Sequence, residues 1–375
     1  MSFIKRTVSG VRSIVQDPVE RRAYASRLKF LATGTGVVQA WSLEYRSGLT
    51  GRFAVPVKRL AADAEVVVRC PDNCRANSPL SHLYERRFVY RLKDTVASTC
   101  SGATLMCGSP EPPFFIRESI SWPFESVLAH GLEVPEVGKV ESEFAETLTI
   151  FPTTRNYYHW LIEDLPLVLR AHASVPTTGL LAFGPGITDR HRTVASHLEV
   201  PLTEAPLLVR LQDQVLPGRA SDSFFIHPVD LASLRNFGLS VTSGAAPRLE
   251  NYPDRVYVSR SRSRRPLADE VRLKGLLSDA GFSVVHLEEM PWLEQIRHFQ
   301  NAGIVAGPHG AGLSNLVFAR PGTTVIELTV GSMFNRCFEW ISNVAGHNYY
   351  PIEADSLPAT SSAESLFRHV QELID

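Results

Sequence analysis

Three short stretches of this chain hold residues whose types and spacing can do chemistry. In NYYHWLIEDLP, residues 156–166, His159 stands four residues before Glu163, with Asp164 beside it. On a helix, positions four apart share a face, so a carboxylate there can orient the imidazole and raise its basicity, as a general base requires. His159, Glu163 and Asp164 are all candidate proton acceptors. The same spacing serves an amphipathic helix that turns Tyr157, Trp160, Leu161 and Leu165 into a core. It could also begin a metal site, but no third or fourth ligand is evident.

The second stretch is VYVSRSRSRR, residues 256–265. A strand would deliver Arg260 to its carboxyl end, with Arg262, Arg264 and Arg265 in the loop behind it and Asp269 and Glu270 beyond. Guanidinium groups there can clamp a diphosphate and neutralise charge on a leaving group. A solvated basic loop or a nucleic-acid patch is the alternative. The third stretch is the turn Gly307-Pro308-His309-Gly310-Ala311-Gly312. Positions without side chains let backbone N–H groups approach a phosphate, and a following helix start favours anions.

The order of these glycines is neither the G-x-G-x-x-G of dinucleotide oxidoreductases nor a P-loop, which ends in Gly-Lys-Ser/Thr. No convincing Asp-x-Asp loop offers a divalent metal site, so no metal is expected. Glu327, closing a β-branched run, either accepts hydrogen bonds from ribose hydroxyls or pairs with an arginine at a sheet edge.

The elements that must position these groups follow from apolar runs and turn residues. After Glu146 the pattern predicts strands at 148–151, 180–183, 207–211 and 223–226, with helices over 156–172 and 189–198. Pro166 should kink or divide the first helix. A polar stretch, 240–253, reads as a linker. Strands at 255–259, 282–286, 304–306 and 324–328 then alternate with helices at 267–280, 292–300 and 313–319, and a last helix covers 363–374. This alternation predicts an α/β protein with parallel sheets and two domains, residues 1–240 and 241–375. Before residue 140 the pattern is irregular, with strand-like pieces at 65–69 and 88–92.

Composition narrows the function classes. The chain has 375 residues, a net charge of -1 and 21% charged residues, so it lacks the basic surface that rewards nucleic-acid binding. Five cysteines give no disulfide framework. Cys70, Cys74, Cys100 and Cys107 lack the short spacings of a zinc knuckle, and reduced thiols are expected. No run is apolar over the ~20 residues a membrane span needs. The basic, weakly amphipathic start (Lys5, Arg6, Arg12) leaves peripheral membrane contact open, and a cytoplasmic location is expected.

Taken together, NYYHWLIEDLP, VYVSR with its arginines and Asp-Glu, and GPHGAGLSNLVFARPGTTVIEL resemble the family 61 glycosyltransferases. That group includes protein O-GlcNAc transferases of the secretory pathway, plant xylosyl- and arabinosyltransferases that decorate xylan, and bacterial capsule-type enzymes. The resemblance runs from about 148 to 350. It implies a GT-B-like architecture, two Rossmann-like domains facing across a cleft, with the donor on the C-terminal one. It also implies an inverting transfer from a nucleotide-sugar, usually a UDP-sugar, to a glycan hydroxyl, with no cofactor required. Carried over by position, Arg260 and Arg265 match the paired arginines near the diphosphate. The loop has one extra residue, so Arg264 can take the place of Arg265. Gly307, His309, Gly310, Ala311 and Gly312 match the donor loop, and Glu327 the acidic strand end. His159, Glu163 and Asp164 match the cleft-lining helix. The competing classes are a Rossmann-type sugar-modifying enzyme and a non-catalytic nucleotide-sugar or glycan-binding protein.

Overall fold

The structure is a computed structural model that describes residues 88–100, 102–106, 114–116, 140–175, 177–218, 225–243, 252–262, 267, 269–329, 335–354 and 363–374, with short strands before and between them (37–38, 40–41, 54–59, 64–68, 80–84 and 132–133). Arg264, Arg265, Cys70, Cys74, Cys107 and the amphipathic start lie outside the described residues. The chain forms two compact units, one containing Glu85–Ser223 and the other Phe224–Asp375. The division thus falls before the helix Pro228–Thr242, whereas the linker reading placed it at 240.

The first unit is built on a mixed sheet. Its strands are β1 (Phe88–Ser98), β2 (Ser142–Ile150), β3 (Gly179–Phe183), β4 (Leu202–Ala205) and β5 (Leu208–Pro217). The order β4-β3-β2-β5 is joined by parallel pairs, and β1 then adds antiparallel to β5. That antiparallel neighbour departs from the expected Rossmann-like sheet. Helices α1 (Leu165–Ser174) and α2 (Asp189–His197) follow β2 and β3. Phe225 and Ile226 belong to no strand, contrary to the expected strand at 223–226; the Ile226 carbonyl accepts from the Trp340 indole at 3.2 Å.

The second unit is a doubly wound α/β layer. Strands β6 (Arg255–Val258), β7 (Ser283–Val285), β8 (Ile304–Pro308), β9 (Thr324–Thr329) and β10 (Asn348–Glu353) are all parallel, in the order β7-β6-β8-β9-β10. Helices α3 (Pro228–Thr242), α4 (Glu270–Asp279), α5 (Trp292–Asn301), α6 (Cys337–Ala345) and α7 (Ala363–Ile374) accompany it. α4 and α7 bury Leu273, Leu277, Leu366 and Val370 against Tyr257, Ala306, Ile326 and Leu328 of the sheet. α3 begins as sequence rules ask, with Pro228 at its first position and the His227 side chain accepting the Val229 N–H at 3.1 Å. Its Arg235 donates to the carbonyls of Ala319 and Ala345 at 2.7 and 3.0 Å, capping two neighbouring helical segments where carbonyls lack partners.

In this strand order the chain reverses direction between β6 and β8. Ligands in open α/β sheets bind at the carboxyl ends of the strands flanking such a reversal. Those ends are Val258, followed by Arg260, and Pro308, followed by His309.

Two buried histidines set an acid limit on stability. Burial pushes His191 and His347 down to about 4. In the unfolded chain each takes its proton near 6.5, so stability is full above that pH and falls as pH drops from 6.5 toward 4. The loss reaches about 2 kcal/mol per histidine by pH 5 and about 3 kcal/mol below pH 4. Thermal unfolding should occur at markedly lower temperature at pH 5 than at pH 7.5, and His191→Gln should flatten that slope. An unfolding temperature that does not change over this interval would refute the assignment.

Candidate donor and base sites

The second-unit site is assembled around Arg260. Its backbone N–H donates to Glu270 Oε1 at 2.7 Å, and the Ser259 hydroxyl donates to the same oxygen at 2.9 Å. Glu270 opens α4 and is 3% exposed. One buried carboxylate thus ties the chain leaving β6 to a helix start, where negative charge is favoured. Burial and Glu270 together push the Tyr257 phenol up, keeping it protonated. Lys274 donates to the Ser261 hydroxyl at 3.0 Å, and Arg262 pairs with Glu289.

The arginine's guanidinium lies along the glycine-rich turn, with Nη1 donating to the His309 carbonyl. A Cβ on Gly310 would stand 2.9 Å from Arg260 Cζ, so glycine leaves the room that the guanidinium fills. Gly307 has a different reason to be small: a Cβ there would meet the Val258 carbonyl oxygen at 2.8 Å. Its requirement comes from two strands pressed together at the reversal and not from a ligand.

The expected helix after the turn is a 3-10 segment, Ala311–Phe318, whose first internal bond runs from Leu313 N–H to the Gly310 carbonyl at 2.9 Å. The amides of Ala311 and Gly312 precede that bond and sit at the segment's amino end. The His309 amide, by contrast, is used by the sheet and donates to Leu328 O at 2.9 Å.

Glu327 is not on an edge strand, and among the described residues its ion pair is with His309 and not with an arginine. It sits on β9, between β8 and β10, and is 0% exposed. Its Oε1 lies 2.5 Å from His309 Nδ1, and its Oε2 accepts the Tyr349 hydroxyl at 2.5 Å. With no exposed surface and its oxygens engaged by His309 and Tyr349, Glu327 presents no open oxygen to a ribose in this structure, unlike the expectation of a direct contact. Its influence on a ligand must pass through His309.

In the first unit, Asn156 caps the helical start by accepting the Tyr158 N–H at 3.0 Å. The segment runs as Tyr157–His159 in α-helix, Trp160–Asp164 in π-helix and then α1. Pro166 does not break it. Pro166 has no N–H to give an i→i−4 bond, and just before it the ladder has already widened, with Leu165 N–H bonding to Trp160 O. Single π turns of this kind recur at functional sites.

The expected pair forms: His159 Nδ1 lies 2.5 Å from Glu163 Oε1. The His159 side chain is 18% exposed, the Glu163 side chain 2%. Asp164 is buried as well. Trp160, Leu161 and Leu165 also turn into the core, whereas Tyr157 stays half-buried and its neighbour Tyr158 is buried. The Trp160 indole donates to His191 Nε2 at 3.1 Å, and the Arg190 guanidinium lies 4.6 Å from the Trp160 ring centroid. Among the described residues, no three His, Cys, Asp or Glu side chains gather as a metal-ligand set.

Sequence reasoning singled out Arg260, His309 and Glu327, which the structure brings together in the second unit, and His159 and Glu163, which it pairs in the first. It missed Tyr349 and the role of Glu270. Glu270 carried a signal, a carboxylate at a helix start just beyond the arginine loop. Tyr349 carried none, because only strand register brings it under His309.

In the second unit an arginine and a glycine-rich turn meet at the strand-order reversal, the place where open α/β sheets bind ligands. Residues 157–326, which hold His159, Glu163, Arg260 and His309 and stop one residue short of Glu327, match a protein-family model described as Glycosyltransferase 61. Over 89 residues, 23% of this chain and 17% of the relative, the sequence is 32% identical to a beta-1,2-xylosyltransferase of Arabidopsis thaliana. Over 60 residues, 16% of this chain and 11% of the relative, it is 45% identical to a beta-1,2-xylosyltransferase of Oryza sativa subsp. japonica. The matched stretch thus spans less than a fifth of either curated relative. These similarities are to family 61 glycosyltransferases and extend over part of the chain.

Proposed function

We propose that this chain is an inverting, metal-independent glycosyltransferase of GT-B type that moves a sugar from a UDP-sugar to a glycan hydroxyl. The observation that carries the proposal is the meeting of Arg260 with the His309–Gly310 turn where the parallel sheet reverses. In the reaction, the acceptor oxygen forms a bond to the anomeric carbon as the bond to the diphosphate breaks. The acceptor proton passes to His159, which Glu163 orients. The electron pair leaves with the diphosphate, whose charge Arg260, His309 and the amides of Ala311 and Gly312 offset. His159 is favoured over Glu163 and Asp164 because its side chain is the most exposed of the three.

The names of the two plant relatives make xylosyl the first sugar to try, and a surface or capsular glycan is the product we propose. A thermal-shift screen of nucleoside diphosphates and sugar nucleotides, UDP-xylose included, tests the reading. A ligand at 100 times its Kd should stabilise the native state by about 2.7 kcal/mol, and EDTA should leave that shift intact. No shift with any nucleotide would overturn the proposal, and a shift abolished by EDTA would overturn its metal independence.

A further inference from the structure

We infer that Tyr349 and Glu327 are positioning residues that fix the His309 imidazole for the donor's diphosphate, an inference that rests on the donor reading above. Ile326 and Leu328 face the core beneath α4 and α7. Alternation along β9 therefore sends Glu327 to the opposite face of the sheet. On β10, Tyr349 pairs with Val325, two residues before Glu327, which makes it a diagonal neighbour on that same face. Its hydroxyl reaches Glu327 Oε2 at 2.5 Å, and Tyr349 is itself 1% exposed.

A carboxylate this deep is tolerated only with hydrogen-bonding partners. Tyr349 holds one oxygen and His309 Nδ1 meets the other at 2.5 Å. His309 is held at two further points, one on its backbone and one on its ring. Its own backbone N–H bonds to Leu328 O at 2.9 Å, and Phe338 packs on the ring with centroids 5.0 Å apart. Of the three polar groups, His309 alone approaches the surface, with its side chain 22% exposed. With Nδ1 committed to Glu327, a phosphate oxygen meets the ring through Nε2, beside the Arg260 guanidinium on the same turn.

The test is a double-mutant cycle on the full chain, read as UDP affinity by calorimetry, with GDP as the nucleobase control. His309→Ala should weaken UDP binding about tenfold or more, the range of a hydrogen bond to a charged group. Tyr349→Phe and Glu327→Gln should each weaken it roughly three- to tenfold in the otherwise unaltered protein. In the His309→Ala background neither change should weaken it further, because residues acting through one group are not additive.

Losses that add in both backgrounds, or no loss from Tyr349→Phe in the parent, would overturn the inference. Tyr349→Phe deletes a single oxygen, so the cycle with His309→Ala decides the matter even if Glu327→Gln fails to fold. If the unaltered protein binds neither UDP nor GDP, the donor reading falls and this inference with it. Binding without coupling sinks the inference alone.

Discussion

Arg260→Ala should cut turnover of the sugar nucleotide about 10²- to 10³-fold, the usual cost of removing one group that stabilises developing negative charge in a closed site. Two roles are lost together. The guanidinium donates to the His309 carbonyl of the glycine-rich turn, and the residue is held there through a backbone bond to Glu270. Arg260→Lys should recover only a small part of the activity, because an ammonium cannot bridge two phosphate oxygens with a planar fork. The measurement is nucleoside diphosphate release against donor concentration. Donor KM should rise and kcat should fall together, since the cation meets charge both in the bound donor and in the transition state. Unchanged UDP affinity in Arg260→Ala would remove Arg260 from the diphosphate and leave the turn without its cation.

His159→Ala should have the second large effect, a fall in transfer of about 10²- to 10⁴-fold, the range for loss of a positioned general base. UDP affinity should stay within a factor of about two, because the base touches the acceptor and not the diphosphate. Glu163→Gln should cost less, roughly 10- to 100-fold, since an amide can still accept from Nδ1 but carries no charge to favour the protonated ring. Steady-state transfer with saturating donor separates these effects. Should His159→Ala turn over normally while Glu163→Gln does not, the roles within the pair are reversed. Normal turnover in both would move the base to another residue.

The second unit was largely legible because parallel strands buried on both faces read as short apolar runs. VYVS, IVA and TVIEL each mark a strand whose position the structure keeps within two residues. Placing Arg260 beside His309 needed only the rule that consecutive parallel strands deliver their loops to one edge. Other features had no local signal. α3 lies in a stretch whose pattern suggested a linker at its end, and it meets Phe318 closely at Gly238, where a Cβ would stand 2.6 Å from the ring. The antiparallel partner of β5 comes from residues more than a hundred positions earlier. The depth of Glu327 was likewise invisible, since a carboxylate closing an apolar run reads as a strand end at the surface until its neighbours on β8 and β10 are known. The 3-10 form of Ala311–Phe318 depends on how tightly its first turn closes, which amphipathic spacing does not encode.

The five residues Trp160–Asp164 keep the screw of the first-unit helix out of phase with itself. A π turn takes in one residue more than an α turn, so everything upstream is rotated relative to α1 by about 100°, the angular step of one helical residue. His159 lies just upstream of that offset, and the buried aliphatic residues anchoring α1, Leu165, Leu167, Val168 and Ala171, lie after it. A chain shortened by one residue here would regain a regular spiral and keep its apolar stripe on α1, yet swing the imidazole about a quarter turn around the axis. The irregular winding thus sets the direction in which the imidazole points, independently of the packing that holds the helix down.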